Sequence, residues 1–90
     1  MDDIEQQELV SRGVAAQQLL DNELFENAFN TVKLQVIDAI ESCPVDDPKF
    51  SVNLTLSLQI LKRIKGAIER HVEAGKVAKH WITKMNKEER

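Results

Sequence analysis

Apolar residues recur every three or four positions along most of this 90-residue chain, the spacing that one face of an α-helix produces. Alternation typical of a strand is brief, from Val52 to Leu58, and helix-favouring residues dominate. The pattern predicts an all-α fold and a single domain over residues 1–90. We expect an N-terminal helix at about residues 4–20 and a helical hairpin made of residues 23–42 and 48–84.

Capping residues and a proline pair mark where the second and third helices begin and end. Pro44 cannot continue a helix, because it lacks a backbone N–H group. Asp47 followed by Pro48 is typical of a helix start, since aspartate caps free N–H groups and proline favours the first helical position. Asp21 and Asn22 are both candidate caps for the second helix.

Gly75 interrupts the pattern of the third helix and leaves two interpretations open. It fits a left-handed C-terminal cap, or a position inside a longer helix. We expect the helix to continue, because residues 76–82 keep helical amphipathicity. The polar residues 86–90 are expected to fray.

The apolar seam of the first helix contains two small residues. Leu9, Gly13, Ala16 and Leu20 are spaced as one helical face. Gly13 and Ala16 would allow a neighbouring helix to approach closely, or Gly13 would simply weaken the helix by about 1 kcal/mol. Leu9, Gly13 and Ala16 are therefore candidate interface residues.

The second helix has a broad apolar arc, and the third has a long seam. The arc of the second helix consists of Phe25, Ala28, Val32, Val36 and Ala39, and it is widened by Phe29, Ile37 and Ile40. An apolar arc of this width predicts burial against more than one helix. Phe25 and Phe29 are candidate interface residues.

The seam of the third helix comprises Leu54, Leu58, Leu61, Ile64, Ile68 and Val72, with Ala78 and Ile82 as its continuation.

Helix lengths predict that the hairpin alone leaves apolar surface uncovered. At 1.5 Å per residue the third helix would be about 50–57 Å long and the second about 30 Å. The first helix, or another subunit, would cover the remainder. Because a chain of this size buries a limited core, we expect a homo-oligomer.

The two halves of the chain carry opposite charge. Residues 1–50 hold eleven acidic and three basic residues, a net charge of −8. Residues 51–90 hold nine basic and four acidic residues, a net charge of +5, and the two sum to the overall −3. Acidic Asp2, Asp3, Glu5 and Glu8 are expected to match the basic end of the third helix, within a chain or between neighbours. Exposed pairs contribute only about 0–1 kcal/mol each, so they select orientation.

No catalytic, metal or cofactor site is expected. His71 and His80 are nine residues apart on one predicted helix, and no cluster completes a ligand set. Glycine-rich phosphate loops and nucleophile motifs do not occur, and the lone Cys43 fits a small apolar residue at a helix end. No apolar run approaches the ~18 residues of a membrane span, and no secretion signal is expected from the N-terminal pattern.

Nucleic-acid binding through the basic half is the alternative to protein binding. The candidate phosphate contacts are Lys62, Arg63, Lys65, Arg70, Lys76 and Lys79. This alternative is not favoured, because Trp81 is the only aromatic residue near them in the C-terminal part of the chain and stacking platforms need several. Trp81 would either pack in the core or anchor a partner protein.

One stretch of packing and capping residues carries a family resemblance. The stretch contains Arg12-Gly13, Ala16, Leu19-Leu20, Asn22-Glu23, Phe25 and Ala28-Phe29, and it is followed later in the chain by Gly75-Lys76 and Ala78. Over about residues 9–82 the chain resembles a group of small helical proteins encoded by tailed bacteriophages, often among virion-assembly genes. The resemblance implies a viral setting, in the host cytoplasm during infection or in the virion, and brings no active site.

These observations predict a non-enzymatic protein that acts by oligomerisation or partner binding. The partners expected are the chain itself and another phage or host protein. A DNA-packaging or DNA-binding accessory, similar to a small terminase subunit, is the alternative.

Overall fold

Three helices account for most of the chain in the structure, a computed structural model that describes residues 3–88. α1 spans Asp3–Asp21, α2 spans Glu23–Glu41 and α3 spans Pro48–Glu88. Residues 3–88 contain no strand, so the predicted all-α class is confirmed. α3 ends at Glu88 and not near residue 84, so residues 86–88, expected to fray, are helical here. Residues 89 and 90, also expected to fray, lie outside the described residues.

Side-chain caps fix the starts of α2 and α3. Asn22 Oδ1 accepts a hydrogen bond from the backbone N–H of Phe25 at 2.9 Å, and Asp47 Oδ1 accepts one from the backbone N–H of Phe50 at 3.2 Å. Of the two caps considered for α2, Asn22 is therefore the one used, whereas Asp21 ends α1. Between the helices, the N–H of Asp47 donates to the carbonyl of Pro44 at 3.1 Å and closes a turn.

The contacts of the chain fall into two compact units. The α1–α3 unit consists of α1 and of α3 from Ala67 onward, and the α2–α3 unit runs from Asn22 to Gly66. α3 has 41 residues and α1 and α2 have 19 each. Each short helix therefore belongs with a different part of the long one.

The α1–α3 unit contains a small but real core. Its buried residues are Gln6, Gly13, Ala16, Val72, Gly75 and Ala78. Ala78 is only 1% exposed, and Gly75 lies within the helix, as expected from the continued amphipathicity. α1 runs antiparallel to this part of α3, because Gly13 meets Gly75 while Asp3 and Gln7 line a small cleft with Ile82, Met85 and Asn86.

The α2–α3 unit has no buried residue among Asn22–Gly66, all of which the structure describes. Val36, Leu54, Leu58 and Leu61 are half-buried, as expected for contact flanks. Three residues placed in predicted seams are instead exposed, namely Ala28, Val32 and Ile64. The broad arc of α2 therefore has a partner on one side only within this unit, because two helices form a single layer.

Candidate interaction surfaces

The closest approach in the α1–α3 unit joins two glycines. A Cβ atom built on Gly13 would lie 2.8 Å from the Cα atom of Gly75 and 3.0 Å from the carbonyl oxygen of His71. The relation is reciprocal, since a Cβ atom on Gly75 would lie 2.8 Å from the Cα atom of Gly13 and 3.0 Å from the carbonyl oxygen of Leu9. All of these neighbours are backbone atoms, so neither position accommodates a side chain without moving a helix.

This contact decides between the two interpretations of Gly13. The small residue permits close helix approach, and Ala16, one turn further along α1, is buried with it. Leu9 is half-buried in the same unit. All three candidate interface residues of α1 thus contribute to packing within the chain.

Gly75 and Gln6 are parts of this core that sequence reasoning did not assign. Gly75 was weighed as a helix end or as a position inside a longer helix and not as a packing residue, although its spacing of three from Ala78 repeats the spacing of Gly13 and Ala16. That shared small-residue spacing was the signal for pairing the two helices. Gln6 is polar, so its burial to 4% exposure had no signal in the apolar pattern.

An apolar cleft lies beside the glycine contact. Its volume is about 190 Å³, and its lining includes Val10, Val14 and Val72 with Lys76 and Lys79 at its margin. Lys76 Nζ lies 3.6 Å from Glu73 Oε1 within α3. Two of the candidate phosphate contacts are therefore placed at the edge of a cleft between α1 and α3.

Phe25, Phe29 and Lys65 form a cluster in the α2–α3 unit. The two ring centroids are 6.1 Å apart with an interplanar angle of 32°, and Lys65 Nζ lies 5.8 Å from the centroid of the Phe29 ring. Both aromatic rings are half-buried. Cation–π contacts of this length stabilise by about 0.5–1 kcal/mol at exposed sites, so Lys65 contributes to the contact between α2 and α3.

Trp81 lies on the surface of α3 and not in a core. It is 48% exposed, and Lys84 Nζ lies 5.3 Å from its ring centroid. Exposed Val77 precedes it by one helical turn. Core packing, one of its two predicted roles, is not what the structure shows, whereas the role of partner anchor stays a prediction.

The six candidate phosphate contacts are divided between the two units. Lys62 and Lys65 are three residues apart and share one face of α3, whereas Arg63 points about 100° away from Lys62. Lys76 and Lys79 lie together at the cleft. Arg70 is exposed.

Large apolar side chains are exposed along the α2–α3 unit. Leu24 is 79% exposed, Leu34 62%, and both Val52 and Ile60 56%. Leu56 and Ile64 are exposed as well. Leu34 lies on a different side of the unit from Leu24 and Ile60. Exposed apolar patches are typical of protein-binding regions.

Within residues 3–88 no group of three or more His, Cys, Asp and Glu side chains is placed to hold a metal ion. No helix of the described chain is both long enough and apolar enough to span a membrane. Cys43 is half-buried after α2, with its Sγ atom 3.6 Å from the carbonyl oxygen of Pro44.

Comparisons of this chain with protein-family models, with curated proteins and with solved structures find no match.

Proposed function

We propose that this chain is a bacteriophage helical protein that acts by binding, to copies of itself and to another phage or host protein, and not by catalysis. The viral setting rests on the sequence resemblance of residues 9–82. It would act in the host cytoplasm during infection and, in one version of the proposal, as a component of the virion.

The exposed apolar surface of the α2–α3 unit supports a binding function. The unit buries none of its residues, yet it exposes side chains such as Leu24, Val32 and Ile60. Complete burial of one such side chain contributes about 1.5–3 kcal/mol. A partner that covers several of them would therefore gain substantial binding free energy.

The hairpin is the structural basis of this proposal. Residues 42–47 connect α2 to α3, and so short a connection returns α3 along α2. A two-helix layer is stable when another layer covers it. We infer that assembly supplies that layer.

Two measurements test this function. Light scattering across a range of protein concentrations should show a mass above that of the 10.2 kDa chain. Affinity purification from infected cells, together with analysis of purified particles, should recover a phage or host protein with the chain. A compact monomer at high micromolar concentration that recovers no partner would contradict the proposal.

A DNA-packaging or DNA-binding accessory is the second candidate. Among the described residues, Lys76 is the only one of the six candidate bases in an ion pair, which leaves the others free of carboxylates. Phosphate contacts release counterions, so this function predicts DNA affinity that falls steeply with salt. Fluorescence anisotropy with duplex DNA at two salt concentrations distinguishes it from protein binding.

A further inference from the structure

One side of the α2–α3 unit is free of charge, and its residues define what we call the uncharged face. The face combines one flank of α2 with one flank of α3, represented by Leu24, Ala28, Val32, Ser57, Ile60 and Ile64. All six side chains are exposed. With 3.6 residues per turn and antiparallel helices, the two flanks lie on the same side of the two-helix layer.

The hydroxyl group of Ser57 on this face is already hydrogen-bonded, and charged residues lie elsewhere. The Ser57 hydroxyl donates to the carbonyl oxygen of Asn53 at 3.0 Å, so its burial would leave no unmet donor. Between residues 24 and 39 of α2, and between 50 and 64 of α3, the flank contains no Asp, Glu, Lys or Arg. Covering the face with an uncharged surface would therefore desolvate no ion.

The size of the face is sufficient for a dimer. α2 has 19 residues and is about 28 Å long. Two helices of ~10 Å diameter, with axes about 8–10 Å apart, give a face of about 500 Å². Two such faces together reach about 1,000 Å², the lower bound for a specific interface.

We propose that the uncharged face binds the same face of a second copy of this chain, so that α2 and the first part of α3 from two copies form a four-helix bundle. The inference rests on the proposed binding function and names the partner of that surface. A second copy presents an equally uncharged face, and a two-fold axis matches the face to itself. The bundle would cover the apolar flank that the two-helix layer leaves exposed.

Charge at the two ends of the unit selects the orientation of the copies. The turn end carries a net charge of −3, from Asp38, Glu41, Asp46, Asp47 and Lys49. The opposite end carries +1, from Glu23, Glu26, Lys62, Arg63 and Lys65. Placing the turns at opposite ends of the bundle sets −3 beside +1, whereas placing them at the same end would set −3 beside −3.

In this orientation α3 of one copy packs against α3 of the other. The two-fold axis then passes near Ser57, in the middle of the α3 flank. Ser57→Cys in a Cys43→Ala background should therefore form an intermolecular disulfide on mild oxidation, because the equivalent positions approach within disulfide range. The control is Gln59→Cys in the same background, since Gln59 is also exposed but lies on another side of α3. A covalent dimer at position 57 and little at position 59 is the expected result.

A charge placed on the face provides an independent test. Ile60→Glu should reduce the measured mass to that of a monomer at concentrations where the unchanged chain is dimeric, with the helical circular dichroism retained. Leu34→Glu is the control, because Leu34 is similarly exposed on a different flank of α2, and it should leave the dimer intact. If Ile60→Glu loses its helical signal, the cross-linking result alone decides.

The outcomes separate this inference from the broader function. A dimer that survives Ile60→Glu with its helices intact, or one that cross-links equally at positions 57 and 59, overturns the uncharged-face dimer and leaves a binding function in place. A monomer at every concentration that still recovers a phage or host protein also overturns the dimer alone. A monomer without any recovered partner overturns both.

Discussion

The α1–α3 unit holds all six buried residues of the described chain, whereas the α2–α3 unit holds none although it has more large apolar side chains. The core of the first unit is built mainly from small residues, with Val72 as its largest apolar member. Gly13 and Gly75 bring two backbones into contact. Close approach of the helices, and not side-chain size, therefore produces the burial.

The α2–α3 unit shows the opposite case. Its phenylalanines, leucines and isoleucines are at most half-buried. Large apolar residues on two helices thus make a contact without making a core, because burial on all sides needs another layer. The first unit buries six residues within the chain, whereas the second leaves large apolar side chains exposed and buries none.

Gly13→Ala should have the largest effect on stability, because it disrupts the glycine contact that distinguishes the α1–α3 unit. The new Cβ atom would meet backbone atoms at 2.8 and 3.0 Å, so α1 must shift from α3 and expose Val72 and Ala78. We expect a loss of about 2–3 kcal/mol in the free energy of unfolding, the upper part of the range for overpacking. Urea denaturation measures it, and an unchanged midpoint would show that the helices are not in glycine contact.

Leu58→Ala tests the partial burial of the second unit. Leu58 is half-buried, so we expect a loss of about 1–2 kcal/mol, below the 2–5 kcal/mol of a fully buried leucine. Leu34→Ala, at an exposed position, should change stability by less than about 0.5 kcal/mol. Equal losses from the two variants would contradict the assigned contact flank.

Helix boundaries and the glycine contact differ in how far the sequence predicts them. Asn22, Asp47 and Pro48 act through neighbours in the chain, so their pattern predicts the helix starts within a residue. The contact of Gly13 with Gly75 joins residues far apart in sequence, and only the small-residue spacing of each helix hinted at it. Exposure of Val32 and Ile64 was not predicted, because apolar periodicity identifies a flank and not what covers it.

Asp47→Ala should remove the cap at the start of α3, in the second unit. The N–H of Phe50 would lose its partner at 3.2 Å, and the expected loss is about 1 kcal/mol. Asp46→Ala removes a neighbouring carboxylate of equal charge and serves as the control. A thermal midpoint that falls equally in both variants would attribute the effect to charge and not to the cap.

Gly66→Ala should have a smaller effect of the opposite sign to that of Gly13→Ala. A Cβ atom on Gly66 would have no neighbour within 4 Å beyond the adjacent residues and the nearby backbone of its own helix, so the methyl group meets no obstacle. Alanine is favoured over glycine inside a helix by about 0.5–1 kcal/mol, and stability should rise by that amount. The same urea measurement therefore separates a glycine required for contact from one that is not, and a loss at both positions would remove the distinction.

Reversing Glu5 and Glu8 to Lys should change stability least, and it tests whether charge or the glycine contact holds α1. Among residues 3–88 no ion pair joins α1 to α3, and the pair present, Lys76 with Glu73, lies within α3. The predicted charge matching of α1 therefore involves no close ion pair to α3 among these residues, matching between neighbouring chains stays a prediction, and Asp2 lies outside the described residues. The α1–α3 unit should therefore lose less than about 0.5 kcal/mol, with any loss greater at low salt, where screening is least. A large loss would show that charge, and not close backbone contact, holds this unit together.

DNA affinity measured on the same variant separates the two functions, since removing acidic residues should strengthen phosphate binding by a DNA accessory and leave a protein-binding module without DNA affinity.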